Sequence, residues 1–221
     1  MVFPLVALLV NFILMAIRNL LFEMRQVKVT RRINNKLVDT LFVSRSRSRF
    51  IPFTWEKIKP GHVIQIRRGD EFPADCLILD ISGLSGQKSY VTCGPFDNTS
   101  IIVQKKSFTA TSNKTGQKQS ENHFADLMNG HIKFEYNYFG YITGSFKLSE
   151  NPDAQDFDSE NVVQRGSFLR NTPVATCLVL NVGTQCIGSI YKDPKKSMES
   201  VSDAKWSSYV KTQRTFDKAY K

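Results

Sequence analysis

The N-terminal stretch limits what this chain can fold into more than any other part. From Val2 to Ile17 it reads VFPLVALLVNFILMAI, with Asn11 the only strongly polar residue, and Arg18 ends the run. Leu20, Leu21 and Phe22 continue an apolar face. Crossing a bilayer takes roughly 20 apolar residues. Residues 1–22 therefore predict a transmembrane helix, short if the chain begins at Met1 and comfortable if residues precede it. A secretory leader has positive charge before its apolar run and small residues after it. Here nothing positive precedes the run, and bulky and basic residues follow it. A helix apolar all round can also sit in a soluble core, and that alternative stays open at this level.

Charge adds an orientation. The chain has 30 Lys plus Arg against 20 Asp plus Glu, a net +10. Residues 1–68 hold 13 basic and 3 acidic side chains, so they carry the whole excess. The balanced remainder lacks the basic surface of a nucleic-acid-binding domain, and no nucleic-acid partner is expected. Arg18, Arg25, Lys28, Arg31, Arg32 and Lys36 flank the apolar run, with Glu23 the only acid among them. The positive-inside bias puts this flank, and the body behind it, on the cytosolic side of a membrane. Each such charge near an anionic leaflet gains roughly 1 kcal/mol, although a solvated helical face fits any one of them equally well. Asn98-Thr99-Ser100 and Asn113-Lys114-Thr115 match the glycosylation sequon, which matters only in a lumen. The charge flank outweighs two short patterns. Cys76, Cys93, Cys177 and Cys186 form no CxxC pair, and with His62, His123 and His131 they make no zinc spacing. Core thiols in a reducing compartment, with no metal site, are the expectation.

A length of 221 residues suits one domain with appendages, and a 41% hydrophobic, 11% aromatic composition excludes a wholly disordered chain. Residues 23–36 have no Gly or Pro and predict a stalk helix continuing the first. Residues 37–43 read as a strand by their β-branched and aromatic content. SRSRSR at 44–49 reads as a basic turn, with a lipid or phosphate contact as its other use. Short strands follow at 63–66, 76–81 and 89–93, separated by the turns Pro60-Gly61, Gly69 to Asp75 and Gly94 to Asn98. A polar insert occupies about 105–125. Strand character returns over 131–146, interrupted at Gly140 and Gly144. Residues 149–160 form an acidic loop, and 161–182 hold two strands around Arg170-Asn171-Thr172-Pro173. Residues 191–221 turn polar and predict a second stalk. The body is thus 37–190, with no internal repeat.

Several patterns now stand in order. Trp55 and Ile58-Lys59-Pro60-Gly61-His62-Val63-Ile64 are followed by Phe72-Pro73-Ala74-Asp75 and Leu77-Ile78-Leu79. Arg165-Gly166-Ser167-Phe168-Leu169-Arg170-Asn171-Thr172 and Gly183 come later, and Pro194-Lys195-Lys196-Ser197-Met198-Glu199 closes the set. This series resembles the actuator domain of the P-type ATPases, and within them the phospholipid flippases. The family pattern runs W-x-x-I-x-V-G-D-I-V, F-P-A-D, L-R-G-C-x-L-R-N-T, then K-R-S-x-x-E. The resemblance covers residues 2–221. It implies a mainly-β, distorted jelly-roll-like actuator domain with flanking helices, set between the family's second membrane helix and the stalk to the third. It also implies a fragment, because the family's Asp-Lys-Thr-Gly-Thr phosphorylation motif is not in the sequence. The phosphorylation and nucleotide-binding domains, ATP and Mg2+ would belong to the full-length protein. Membrane phospholipid and an accessory membrane subunit would be its partners. This chain itself is expected to hold no cofactor.

The resemblance implies a catalytic loop too, and here the sequence departs. Flippases carry D-G-E-T, whose Glu positions and deprotonates the water that hydrolyses the aspartyl-phosphate. Tyr90-Val91 match the strand before the loop, while Thr92 and Pro95 replace the family's Glu and Asn. Asp97 matches the loop's first residue, Asn98 stands for the Gly, Thr99 for the catalytic Glu and Ser100 for the Thr. A threonine hydroxyl has no accessible deprotonated form near neutral pH, so Thr99 cannot be a general base. Asp97 itself, or Asp70 or Glu71 from a neighbouring turn, could supply a carboxylate. His62, where the family has Asp, is expected at a surface turn. Arg165, Arg170 and Asn171 are expected to be structural, and Lys195-Lys196 interfacial. Three functions compete: a piece of a lipid-translocating ATPase, a catalytically degenerate flippase-like regulatory module such as one fused to a guanylyl cyclase, and a membrane-anchored β domain that binds anionic lipid. The ordered motifs and the neutral body weigh against the third.

Overall fold

The structure is a computed structural model that describes residues 2–43, 48–82, 88–92, 101–108, 131–136, 141–147, 155–190 and 208–211. It divides into two compact units, Met1–Leu37 with Thr54–Lys57, and Val38–Phe53 with Ile58–Lys221.

The first unit is a single helix, α1 (Val2–Asn34), and a short 3-10 turn at Trp55–Lys57. Pro4 falls in the first turn, where its missing N–H costs nothing. No later residue of α1 is Gly or Pro, so nothing breaks it between the apolar run and the basic flank. At 1.5 Å per residue its length is about 50 Å. Val6–Asn34 has a mean hydropathy of 1.8 in its most apolar window, with none of that window buried, so α1 is long and apolar enough to cross a membrane. Leu8 and Phe12, for example, are 72% and 69% exposed. Arg31 and Arg32 in the last turn suit the negative end of the helix dipole. The Asn35 N–H closes on the Arg31 carbonyl at 3.0 Å. The Trp55 N–H then donates to the Lys36 carbonyl at 2.9 Å, and the Lys36 ammonium stands 4.7 Å from the centre of the Trp55 ring.

The second unit is β-rich, as the sequence implied. Its largest sheet runs in the order β10 (Val162–Val163), β4 (Asp75–Ser82), β12 (Val174–Asn181), β3 (Val63–Arg67), β1 (Leu37–Val43), β2 (Ser48–Thr54). β12 pairs along its length with β3 on one side and β4 on the other, Cys177 lying opposite Ile64 and Ile78. Side chains of β4 and β12 are buried on both faces, which explains their unbroken apolar runs. A four-stranded sheet has the order β13 (Ser208–Lys211), β7 (His131–Tyr136), β8 (Ile142–Lys147), β9 (Gln155–Phe157). Its inner residues Ile132, Phe134, Ile142, Phe146 and Phe157 join Leu41, Val63, Leu77, Leu79, Leu178 and Leu180 of the first sheet in one core. Phe108 meets Phe146 and Phe157 edge-on, with ring centres 5.6 and 6.2 Å apart. A third sheet, β11 (Phe168–Arg170), β5 (Lys88–Thr92), β6 (Ile102–Lys106), carries the candidate site. After β12 comes the one-turn helix α2 (Ile187–Ile190).

Five local expectations are corrected. Ser48 and Arg49, read as part of a basic turn, begin strand β2. Ile102–Lys106 is a strand that mixed composition concealed, and the acidic loop contains β9. The described part of the tail, Ser208–Lys211, pairs with β7 instead of forming a helix. Gly144 lies inside β8 and does not interrupt it, because a Cβ there would stand 2.5 Å from Phe157 Cζ, 2.6 Å from the Lys133 carbonyl oxygen and 2.8 Å from Phe134 Cβ. Its missing side chain is the space that Phe157 fills. Gly144→Ala should therefore lower stability by about 1–3 kcal/mol, read as an earlier chemical-denaturation midpoint of the detergent-solubilised chain. An unchanged midpoint would refute this packing.

Candidate functional site

Asp97, Asn98, Thr99 and Ser100 lie outside the described residues, as do Cys93 and Lys195-Lys196. The frame that carries the loop is described. β5 and β6 pair in register from Lys88↔Lys106 to Thr92↔Ile102, so the loop residues are those joining the two strands beyond Thr92. On its other side β5 pairs with β11, placing Phe168 opposite Thr92 and Arg170 opposite Tyr90. Thr92 Oγ1 donates to the Phe168 carbonyl at 3.4 Å.

β11 is held in turn by the Gly69–Phe72 turn. Gly69 N–H donates to the Leu169 carbonyl at 2.8 Å, Leu169 N–H to the Asp70 carbonyl at 3.1 Å, and Phe72 N–H to the Ser167 carbonyl at 2.8 Å. Gly69 has φ +89° and Gly166 φ +84°, left-handed values that glycine takes at no steric cost. A bridge pairs Glu71 with Phe168. One ladder row thus reads Glu71, Phe168, Thr92, Ile102, which puts the Glu71 backbone two strand spacings, about 10 Å, from Thr92. Sequence reasoning named Asp70 and Glu71 as neighbours of the loop, but it had no means of finding this row.

Asp75 anchors the same frame from below. Its Oδ1 accepts the Arg165 backbone N–H at 2.8 Å and its Oδ2 accepts the Ile187 N–H at 2.7 Å. The Arg165 guanidinium reaches the Gly183 carbonyl at 3.2 Å. Burial pushes the Asp75 carboxyl up to about 6, against the two N–H bonds and the Arg165 charge, which pull it down. The Arg170–Thr172 turn is built for shape. Asn171 takes φ 49°, which Asn tolerates, and buried Thr172 accepts the Tyr90 N–H at 3.3 Å while donating to the Arg170 carbonyl at 3.1 Å. Arg170 is exposed, its guanidinium 5.6 Å from the Phe168 ring centre. Among the described residues Arg165, Arg170 and Asn171 therefore do structural work.

His62 closes a turn as expected, its N–H donating to the Lys59 carbonyl at 3.2 Å, but its side chain is half-buried. Its Nδ1 accepts the Lys59 N–H at 3.4 Å and its ring meets Phe53 edge-on. Burial, then the Lys59 charge, lowers it to about 4 and keeps it neutral. Cys76, Cys177 and Cys186 are free and buried, and burial raises all three thiols far from reactivity. Among the described residues no group of three or more His, Cys, Asp or Glu is placed to hold a metal ion.

Asp75 and His62 give opposite pH dependences. The Asp75 pKa is raised on folding, so its contribution to stability falls as pH rises from about 4 to 6. The His62 pKa is lowered, so its contribution is full above 6.5 and is lost as pH falls toward 4. Each is worth about 3 kcal/mol across its window. Denaturation midpoints measured between pH 4 and 6.5 should rise with pH more steeply in Asp75→Asn than in the parent chain, and less steeply in His62→Gln. Parallel profiles would refute both assignments.

No protein-family model matches the chain. It is similar to a phospholipid-transporting ATPase of Mus musculus, 28% identical over 181 residues, which is 81% of this chain and 14% of that protein. It is also similar to guanylate cyclase alpha of Plasmodium falciparum, 25% identical over 179 residues, 80% of this chain and 4% of that one. A guanylate cyclase of Toxoplasma gondii is 27% identical over 131 residues, 58% of this chain and 3% of its own length. The chain thus spans only a small part of each relative. A zinc-transporting PIB-type ATPase structure overlaps 72% of the chain and 16% of its own at 13% identity and a TM-score of 0.36, too loose to argue from. The chain is thus similar, at 24–28% identity, to one segment of proteins named as phospholipid-transporting ATPases and to one segment of proteins named as guanylate cyclases.

Proposed function

We propose that the chain is the actuator segment, residues 37–190, of a flippase-like membrane protein, carried on a membrane helix at 1–22 and a stalk at 23–36 and followed by residues 191–221, of which Ser208–Lys211 adds a strand beside β7. The supporting observation is the frame around β5. Phe72–Asp75, Arg165–Thr172 and Tyr90-Val91, far apart in sequence, are joined by backbone and Asp75 hydrogen bonds into one support for the loop at 97–100. Relatives named as phospholipid-transporting ATPases align across some 80% of the chain. In this proposal the body lies on the cytosolic side, and phospholipid is the cargo of the longer protein. An accessory membrane subunit would be a further partner of that protein. ATP and Mg2+ would serve its phosphorylation and nucleotide-binding domains.

The chemistry assigned to the loop is hydrolysis of an aspartyl-phosphate, the second half of a covalent cycle. Water must be aligned with phosphorus and lose a proton to a base. Thr99 can align water through its hydroxyl but cannot take the proton. General-base catalysis is typically worth 10²–10⁴-fold, so the loop is impaired by about that factor unless Asp97, Asp70 or Glu71 supplies a carboxylate.

A second reading is a degenerate flippase-like module with a regulatory role. Two observations favour it: the Glu-to-Thr change at 99, and matches to Plasmodium and Toxoplasma guanylate cyclases at identities like those to the ATPases. The two separate in the longer protein. With a phosphoenzyme formed from labelled ATP, Thr99→Glu should speed its decay by about 10²-fold or more. Unchanged decay would remove the loop assignment, and failure to form any phosphoenzyme would favour the regulatory module.

A further inference from the structure

We propose that the basic face of α1 formed by Arg25, Lys28 and Arg32 is a docking surface for the phosphate-bearing headgroups of an anionic leaflet. α1 remains one unbroken helix through this region, and Arg18, Arg25, Lys28, Arg31 and Arg32 are all exposed on it. Arg18, Arg25 and Arg32 recur every seven residues, which keeps them within a narrow stripe. Lys28 lies three residues after Arg25 and four before Arg32, so it stands beside both. A further like-charge neighbour, Arg31, is three residues beyond Lys28.

Such a cluster works against its own helix. Like charges at these spacings destabilise an isolated helix. The helix dipole compensates only Arg31 and Arg32, because its effect fades within the last turn. Glu23, the only acid in α1, stands neither three nor four residues from any of the five cations. Nothing within the helix at these spacings offsets Arg25 and Lys28, which leaves both exposed heads open to water, dissolved anions or an anionic surface.

The position of the cluster indicates its source. Phe22 is the last residue of the proposed membrane segment, and Arg25 and Lys28 follow it by about 5 and 9 Å along the axis. Headgroups extend some 5–7 Å beyond the hydrocarbon, and screening at physiological salt reaches about 8 Å further. Arg25 and Lys28 fall inside this band and Arg32 at its edge. Arg side chains pair with phosphate in a bidentate fork, so two of the three positions suit phosphate specifically. The inference depends on α1 crossing a membrane and is independent of any activity assigned to the loop.

The test is lipid selectivity of the full chain in vesicles of phosphatidylcholine with or without phosphatidylglycerol. Spin-labelled phosphatidylglycerol and phosphatidylcholine report which lipid is held at the protein surface. The parent chain should hold phosphatidylglycerol preferentially. Arg25→Gln/Lys28→Gln/Arg32→Gln should cut that preference about 5-fold or more, with helix content unchanged by circular dichroism. Lys88→Gln/Lys133→Gln/Lys147→Gln, which removes the same charge from exposed positions of the β unit, should leave it intact. Equal retention of the two lipids, or a preference unaltered by the helix variant, would overturn the proposal. Preference abolished by added inorganic phosphate would identify a free-anion site instead of a lipid surface. Failure of the chain to float with the vesicles would overturn the membrane placement on which the inference depends.

Discussion

One buried carboxylate holds the candidate site together. Asp75 receives the backbone N–H groups of Arg165 and Ile187, ninety and one hundred and twelve residues further along the chain. A carboxylate that accepts two backbone donors gives partners to N–H groups that would otherwise go unpaired in the protein. The cost is that a charge is buried, which raises the Asp75 pKa to about 6. What this secures is the start of the 165–167 turn, and through it β11. Since β11 pairs with β5, the carboxylate indirectly fixes the strand from which the loop departs.

The departure at Thr99 has a different standing from the frame around it. Several residues of the flippase pattern have structural roles here: Gly166 takes a left-handed turn, Thr172 accepts the Tyr90 N–H, and Arg165 reaches the Gly183 carbonyl. A chain can lose the base and keep this frame, because the bonds described for β5 and β11 are made by backbone groups and by Thr92 and Thr172, and none of them calls for a carboxylate at position 99. That separation allows a module to keep its shape after its chemistry has changed. It gives the regulatory reading a physical basis alongside the catalytic one.

The helix obeys other rules. Its most apolar window is unburied, which suits a membrane or other helices, whereas its basic end holds one acid against five exposed cations, which suits water or an anionic surface. The β unit is nearly the reverse, meeting its apolar demands internally through the Leu and Phe cluster between its two larger sheets.

The sequence by itself determined the membrane-compatible helix, the mainly-β class, the strands at 37–43, 63–66 and 76–81, and the turn at Asn171. These signals are local: an apolar run, β-branched content, a residue type suited to one backbone conformation. It also carried the resemblance, through residue types whose order survives at 24–28% identity. Only the tertiary structure decided that Gly144 sits inside a strand, that Gln155–Phe157 is one, and that Glu71, Phe168, Thr92 and Ile102 share a ladder row. The reason is range. Gly144 is small because Phe157 packs over it, and the role of Asp75 as an acceptor depends on donors some hundred residues away. A sequence window records which residues are present but not which distant neighbours they meet.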